Sequence, residues 1–308
     1  MKILVTGGAG FIGSHVAEAF HGAGHQVLAI DDLSSGARKN LPPEIAFEEL
    51  DILSETFGQR VLDYKPDAIA HLAAQIDLRK SINDPAGDAE VNIIGSVRML
   101  QAASQAGTKK IIFSSTGGAI YGEQDEFPAT EAHACRPVSP YGTAKLCVEH
   151  YLGLFLRTFG LAYAALRYSN VYGPRQDPYG EAGVVAIFVN KLLKGERLVI
   201  NGDGLQTRDF VYVKDVARAN LLALAESACC AINIGTGIET SINKLAEILS
   251  KHTGLSGEFE HGPAKKGEQL RSSLNASFAE GLMAWHPQVS LDQGLCETVG
   301  YFRENSHH

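Results

Sequence analysis

Through the first half of the chain, apolar residues come in short runs separated by turn residues. Residues 2–6, 26–30, 46–50, 67–72, 109–115 and 162–167 are such runs, most of them rich in Ile, Leu, Val and Ala without strict alternation. That is the pattern of strands buried on both faces. Between them lie longer stretches of helical period, notably 12–23, 88–106 and 141–159. Strand and helix in regular alternation predict an α/β fold, a doubly wound parallel sheet covered by helices on both faces.

The texture changes near Gly173-Pro174, where Gly and Pro become frequent and the alternation is lost. Residues 1–173 are therefore expected to form the main domain, and 174–308 a smaller α/β lobe. Residues 210–224 read as a strand followed by a helix, and 210–235 is expected to return to the main domain. No internal repeat or low-complexity segment interrupts this plan.

Composition removes several function classes. The 308 residues have a net charge of −8 and no basic tract, which argues against a nucleic-acid partner. A few local Arg and Lys residues can still bind a diphosphate. No apolar run reaches the roughly 20 residues of a membrane span, and Gly7, Gly8, Gly10 and Gly13 break any signal-peptide core. The five cysteines are odd in number and lack C-x-x-C spacing, so they read as neutral thiols in a reducing cytoplasm.

The first candidate site is Gly7-x-x-Gly10-Phe11-Ile12-Gly13, between the first strand and the first helix. These glycines allow a tight turn, close approach of backbone to a pyrophosphate, and close helix–strand packing, with the helix N-terminus facing the phosphates. A plain Gly-rich turn is the alternative. Asp31 ends the second strand, where a carboxylate can accept both adenosine ribose hydroxyls and repel a 2′-phosphate. That favours NAD over NADP. Asp32 adjoins it and could share the task, and either could simply be a solvated turn carboxylate. Leu33, Ser34, Ser35 and Gly36 would continue round the ribose, with Asp51 and Ile52 flanking the adenine.

The second candidate site is Tyr141-x-x-x-Lys145, which opens a long helix and places both residues on one face. A free phenol titrates near pH 10 and is a poor base at neutral pH. A nearby ammonium favours the phenolate. Alone, the spacing commonly means a surface helix. Its partner is Ser114-Ser115-Thr116 at the C-terminal end of the fifth strand, the edge where open α/β sheets bind ligands.

Taken together, Gly7/Gly10/Gly13, Asp31, Ser114-Ser115-Thr116, Tyr141/Lys145, Arg167-Tyr168-Ser169-Asn170 and residues 207–213 resemble the extended short-chain dehydrogenase/reductase superfamily, and within it the bacterial UDP-glucose 4-epimerases. The resemblance implies a Rossmann-type domain that holds NAD, with a smaller α/β lobe for a UDP-sugar. It implies that Thr116 is the hydroxyl partner, Tyr141 the acid/base, and Lys145 the residue that binds nicotinamide ribose and tunes the tyrosine. His71, Leu72, Ala73, Ala74, Asn92, Ser114 and Tyr168 would line NAD, and no metal is implied.

The resemblance also places Asn170 and Arg208 on the diphosphate. Val199, Asn201, Lys265, Glu268, Arg271 and Ser272 would complete the substrate side. Two departures stand out: Lys265-Lys266-Gly267-Glu268 replaces Arg-Pro-Gly-Asp/Glu, and Asn201 replaces an aromatic beside the uracil. A Lys is a point charge rather than a bidentate fork, and Arg271 could compensate. Ser272 matches a pocket gate that is bulky where only plain hexoses are accepted and small where N-acetylated sugars are too.

Thr116 is followed by Gly117-Gly118-Ala119-Ile120, with no acid in place of the Asp-Glu pair of related dehydratases. The expected reaction is therefore reversible C4 epimerisation of UDP-hexoses through a 4-keto intermediate. Epimerisation of UDP-glucuronate, another NAD-dependent nucleotide-sugar epimerase or dehydratase activity, and a non-enzymatic NAD-sensing regulator are the alternatives. The resemblance further implies a homodimer paired through the helices at 88–106 and 141–159.

Overall fold

The computed structural model describes residues 1–179, 183–255, 259–264 and 269–305. Twelve strands are found among them: β1 (Lys2–Thr6), β2 (Gln26–Asp31), β3 (Ala46–Glu49), β4 (Ala68–His71), β5 (Lys110–Thr116), β6 (Ala162–Tyr168), β7 (Asn170–Tyr172), β8 (Leu198–Asn201), β9 (Thr207–Tyr212), β10 (Cys230–Ile234), β11 (Glu239–Ser241) and β12 (Phe259–Gly262). Seven of these form one parallel sheet in the order β10-β6-β5-β4-β1-β2-β3. The winding reverses between β1 and β4, and ligands of doubly wound sheets sit above such a reversal.

Both faces of the sheet are covered and its central strands are buried, while the edge strand β3 carries Glu48 and Glu49 and has no buried residue. One face packs on helices Phe11–Gly22 and Val213–Ala225, with Trp285 fully buried among them. The other packs on helices Glu55–Tyr64, Ser96–Ala106 and Pro140–Phe159 through Phe57, Met99, Val148 and Leu152.

A third core lies in the remaining residues, where helices Val184–Leu193, Ile242–Thr253 and Leu291–Asn305 meet β8 and β9. β9 does not enter the main sheet. It pairs with β7 in parallel and with β11 antiparallel, while β8 pairs with β12. The helix after β9 does return, packing on helix Phe11–Gly22, and β10 joins the sheet beside β6.

Periodicity predicts one helix over 88–106. Instead, helix Pro85–Ala89 runs into a π-helical turn, Glu90–Gly95, before helix Ser96–Ala106. A π turn widens the spiral by one residue and leaves the apolar pattern readable as plain helix. Such turns collect at functional sites.

Candidate active site

The Gly-rich turn sits at the reversal point. Gly7 adopts φ +66°, and a Cβ there would lie 2.6 Å from Ala73 N. A Cβ at Gly13 would lie 1.9 Å from Gly7 O, so the helix start presses directly on the turn. Helix Phe11–Gly22 has no side-chain cap and no acidic residue in its first turn, which leaves its leading N–H groups open to an anion. Phe11 and Ile12 are partly buried behind it.

Asp31 is buried at the end of β2. Its carboxylate accepts from Ala9 N (3.0 Å) and Leu33 N (2.9 Å). Burial pushes its pKa up, and those two hydrogen bonds oppose the rise. A Cβ at Gly36 would lie 2.9 Å from Asp31 Oδ1, so only Gly lets the backbone pass here. Leu33 has φ +57°. Asp32 is exposed and holds the N–H and hydroxyl of Ser34, while Ser35 is exposed. These surfaces form a cradle of bare backbone around one carboxylate, and a dinucleotide with a ribose diol fits it.

The facing wall is the segment after β4. Leu72 and Ala73 lie against Gly7, and Ala73 and Ala74 are half-buried. His71 is buried, between Thr6 Oγ1 at 2.7 Å and Ser96 Oγ at 2.9 Å from its ring nitrogens. Ser96 donates its proton to Asn92 O (2.6 Å), so His71 Nε2 donates to Ser96 and Nδ1 accepts from Thr6. Burial lowers the His71 pKa to about 3, consistent with this neutral tautomer.

Asn92 lies on the π turn. Its amide pairs with both N and O of Gln75 at 2.9 Å, and its Nδ2 also donates to Asp88 Oδ1 (3.0 Å). Gln75 Nε2 donates to the same oxygen (3.0 Å). Asp88 and Gln75 were not legible as site residues. The one available signal is that Asp88 precedes Asn92 by four positions.

Tyr141 and Lys145 project from helix Pro140–Phe159, which Ser139 caps by accepting from Gly142 N. Lys145 Nζ donates to Ser114 O (2.9 Å) and lies 4.8 Å from the Phe113 ring centroid and 5.7 Å from that of Tyr141. The ammonium is thus held between the end of β5 and the phenol. Burial lowers the Lys145 pKa to about 8. Burial first, and the Asp88 carboxylate after it, push the Tyr141 phenol well above its ordinary value. The sequence leads one to expect Lys145 to favour the phenolate; in the chain alone burial dominates the phenol.

Thr116 ends β5 opposite Tyr168 in β6. A Cβ at Gly118 would lie 3.9 Å from Thr116 Oγ1 and 4.0 Å from Asn170 Oδ1, so these two polar groups flank an open backbone. At Gly117 the space is filled: a Cβ there would lie 2.4 Å from Leu274 Cδ1. Leu274 is fully buried. Its N–H donates to Asp209 (3.1 Å), which also accepts from Thr236 and Gly237. Asp209 thereby ties residues 272–275 to β9. Ser272 is buried on this segment.

The remaining expected residues border these groups or stand further off: Tyr168 lies opposite Thr116 and hydrogen-bonds the Ser114 side chain. Tyr168 is buried in the sheet core, its hydroxyl engaged with Asn220. Ile52 packs in the second core, and Asp51 accepts from Leu53 N. Val199 is exposed on β8, and Asn201 O accepts from Gln206. Arg208 lies on β9 opposite Thr240 and donates to Thr207 O. Arg271 makes a two-pronged pair with Glu239 (2.6 and 2.9 Å) and stacks 3.8 Å over Phe127. Its fork is occupied in the chain alone. Lys265 and Glu268 lie outside the described residues. No cluster of His, Cys, Asp and Glu able to hold a metal is found among the described residues, and no helix is long and apolar enough to cross a membrane.

Residues 3–235 match the NAD dependent epimerase/dehydratase family. The UDP-glucose 4-epimerase of Mycolicibacterium smegmatis is 41% identical over 99% of this chain and 100% of its own. The crystal structure of the Thermotoga maritima UDP-glucose 4-epimerase with UDP-glucose superposes with TM-score 0.97, at 49% identity and 100% coverage of both chains. The Thermus thermophilus UDP-glucose 4-epimerase in complex with NAD superposes with TM-score 0.93, at 41% identity, over 98% of this chain and 99% of that one.

Proposed function

The chain belongs to the NAD dependent epimerase/dehydratase family, and from that premise we propose that it interconverts UDP-glucose and UDP-galactose by inverting C4 of the sugar. The observation that carries this reading is the seam at the end of β5. Lys145 is anchored there on Ser114 O with its ammonium 5.7 Å from the Tyr141 ring centroid, and the two positions after Thr116 offer bare backbone and Leu274 rather than an acid.

NAD, held by the glycine cradle and Asp31, supplies a reversible hydride acceptor. Asp31 would receive the adenosine ribose hydroxyls, which excludes a 2′-phosphate there. Lys145 would donate to the nicotinamide ribose and, with its fixed charge, stabilise negative charge on Tyr141. Tyr141 would take the proton of the sugar 4-hydroxyl, while Thr116 holds the same oxygen in line. Once the 4-keto sugar has turned over about its link to the diphosphate, Tyr141 returns the proton on the opposite face. Asn170 and Arg208 would hold the diphosphate during that rotation. No water is lost, because no acid stands beside Thr116 to protonate a leaving group, and no carbon dioxide, because a UDP-hexose carries no carboxylate.

Residues 1–173 with 213–235 are assigned to the cofactor, and 174–212 with 236–308 to the nucleotide sugar. Ser272 is a small residue at the position that matches the pocket gate, so the acetylated UDP-hexoses are assigned as substrates too. Pairing of two copies through the helices at 85–106 and 140–159 is supported by Ile94 and Leu154, which these helices leave exposed.

The deciding experiment incubates the purified protein with UDP-glucose, UDP-galactose and their N-acetylated forms. Chromatography should resolve C4 epimers of unchanged mass, and denaturation should release NAD. A product lighter by water or carbon dioxide, or no turnover of any UDP-hexose, rejects the reading.

A further inference from the structure

Buried carboxylates near a reacting centre are costly unless they are hydrogen-bonded or face a positive charge. Asp88 meets both conditions without belonging to either group of expected site residues. It is 2% exposed, on the short helix Pro85–Ala89 just before the π turn. Its Oδ1 accepts from Gln75 Nε2 and Asn92 Nδ2, both at 3.0 Å. It also lines a cleft of about 430 Å³ with Ser139, Thr143 and Ala144, at the start of the helix that carries Tyr141 and Lys145.

Two consequences follow from this placement. The first is mechanical. Asn92 grips both backbone polar groups of Gln75, and Asp88 fixes which way the Asn92 amide points. The wall at residues 72–75, against which Gly7 packs, is therefore set from behind by Asp88. The second is electrostatic. The Asp88 charge acts on Lys145, whose pKa it raises against burial, and on Tyr141, whose pKa it also raises. The other charge acting on Asp88 is Asp84 on its own turn, and Asn92 and Gln75 are neutral. His71, beside Lys145, is a neutral imidazole. Arg79 and Lys80 on the neighbouring helix Leu78–Asn83 are exposed.

We propose that Asp88 is a positioning residue for both halves of the site: it locks Asn92 against the cofactor wall and places a buried negative charge in the cleft at the start of the helix that carries Tyr141 and Lys145. This rests on the epimerase reading for its catalytic consequence, but not for its effect on Lys145. Removing a negative charge lowers the pKa of every group it acts on. In Asp88→Asn the hydrogen bonds can persist while the charge is gone. Both limbs of the kcat/KM–pH profile should then move to lower pH together, by about 1 unit, the scale of one nearby charge. A merely structural defect would lower the plateau and leave both limbs in place.

The test uses full-length protein with lysine labelled by ¹³C at Cε, the Lys145 signal being assigned with Lys145→Met. In Asp88→Asn the Lys145 midpoint should fall below its wild-type value, NAD affinity should stay within about twofold, and both limbs should move acidward. In Asp88→Ala, which frees the Asn92 amide, NAD affinity should weaken about tenfold. An unmoved Lys145 midpoint with unmoved limbs in Asp88→Asn overturns the electrostatic role. Equal NAD affinity in a folded Asp88→Ala overturns the mechanical one. If Asp88→Ala fails to fold, Asp88→Ser replaces it, its shorter side chain being unable to reach the Asn92 amide, with the same expected loss and the same overturning result. If wild type turns over no UDP-hexose, the epimerase reading fails, yet the lysine titration and NAD affinity still decide what Asp88 does.

Discussion

The glycine cradle and the seam beneath residues 272–275 are built in opposite ways. In the cradle, backbone meets backbone: Gly7 faces Ala73, Gly13 faces Gly7, and Gly36 faces Ala9. In the seam, side chains from distant parts of the chain interlock. Leu274 fills the space at Gly117, Asp209 gathers Thr236, Gly237 and Leu274, and Arg271 reaches Glu239. A surface of backbone is rigid and tolerates almost no change, because nothing in it can rotate away. A surface of interlocked side chains can be retuned by paired substitutions. Binding of the cofactor is thus expected to be all-or-none under mutation, and handling of the sugar to be graded.

The contrast can be broken at its strongest point first. Gly13→Val places side-chain atoms where Gly7 O now stands, so NAD affinity should fall by at least about 100-fold, roughly 2.7 kcal/mol, in calorimetric titration. A drop under tenfold would mean that the cradle yields after all. Tyr141→Phe comes next. It should lower kcat by at least about 10²-fold, the usual loss of a general acid/base, with NAD still copurifying. Near-normal turnover would remove Tyr141 from the chemistry.

Smaller effects sharpen the seam. Gly117→Ala should cost about tenfold in kcat/KM, because Leu274 is buried and has little room to swing. Adding Leu274→Ala should restore part of it, and a double-mutant cycle with no coupling would show the contact to be idle. Ser272→Tyr should suppress turnover of the acetylated UDP-hexoses and spare the plain ones. Equal loss on both pairs, seen by chromatography, would move the gate elsewhere. Arg271→Ala should change KM for UDP-glucose by less than about threefold, the scale of an exposed ion pair. A much larger rise in KM would mean that the guanidinium leaves Glu239 for the substrate.

The same contrast explains what could be read from the sequence. The sheet, the glycine turn, Asp31 and the Tyr141/Lys145 pair depend on residues near one another along the chain, so local periodicity and spacing disclose them. The clamp of Asp88 and Gln75 on Asn92 escaped, because a π turn rephases the helix without disturbing its apolar pattern. Leu274 escaped for another reason. Nothing in a leucine announces that it will fill the space beside a glycine that arrives much earlier in the chain. Tyr168 shows the converse, since its strand position was plain but not that its hydroxyl would turn to Asn220.

The meeting of Gly117 and Leu274 also constrains ancestry and descent. Any larger residue at 117 is selected against while Leu274 remains, whatever chemistry it might bring. Shrinking Leu274 first opens a void in a buried cluster with Ile120, Tyr121 and Ala129, a change of the kind that commonly costs 2–5 kcal/mol. The two substitutions are therefore ordered: the destabilising one must come first, and only a lineage with stability to spare can carry it. Descendants of this chain should drift freely at exposed positions away from the site, yet keep the pair at 117 and 274 unchanged together or replace both.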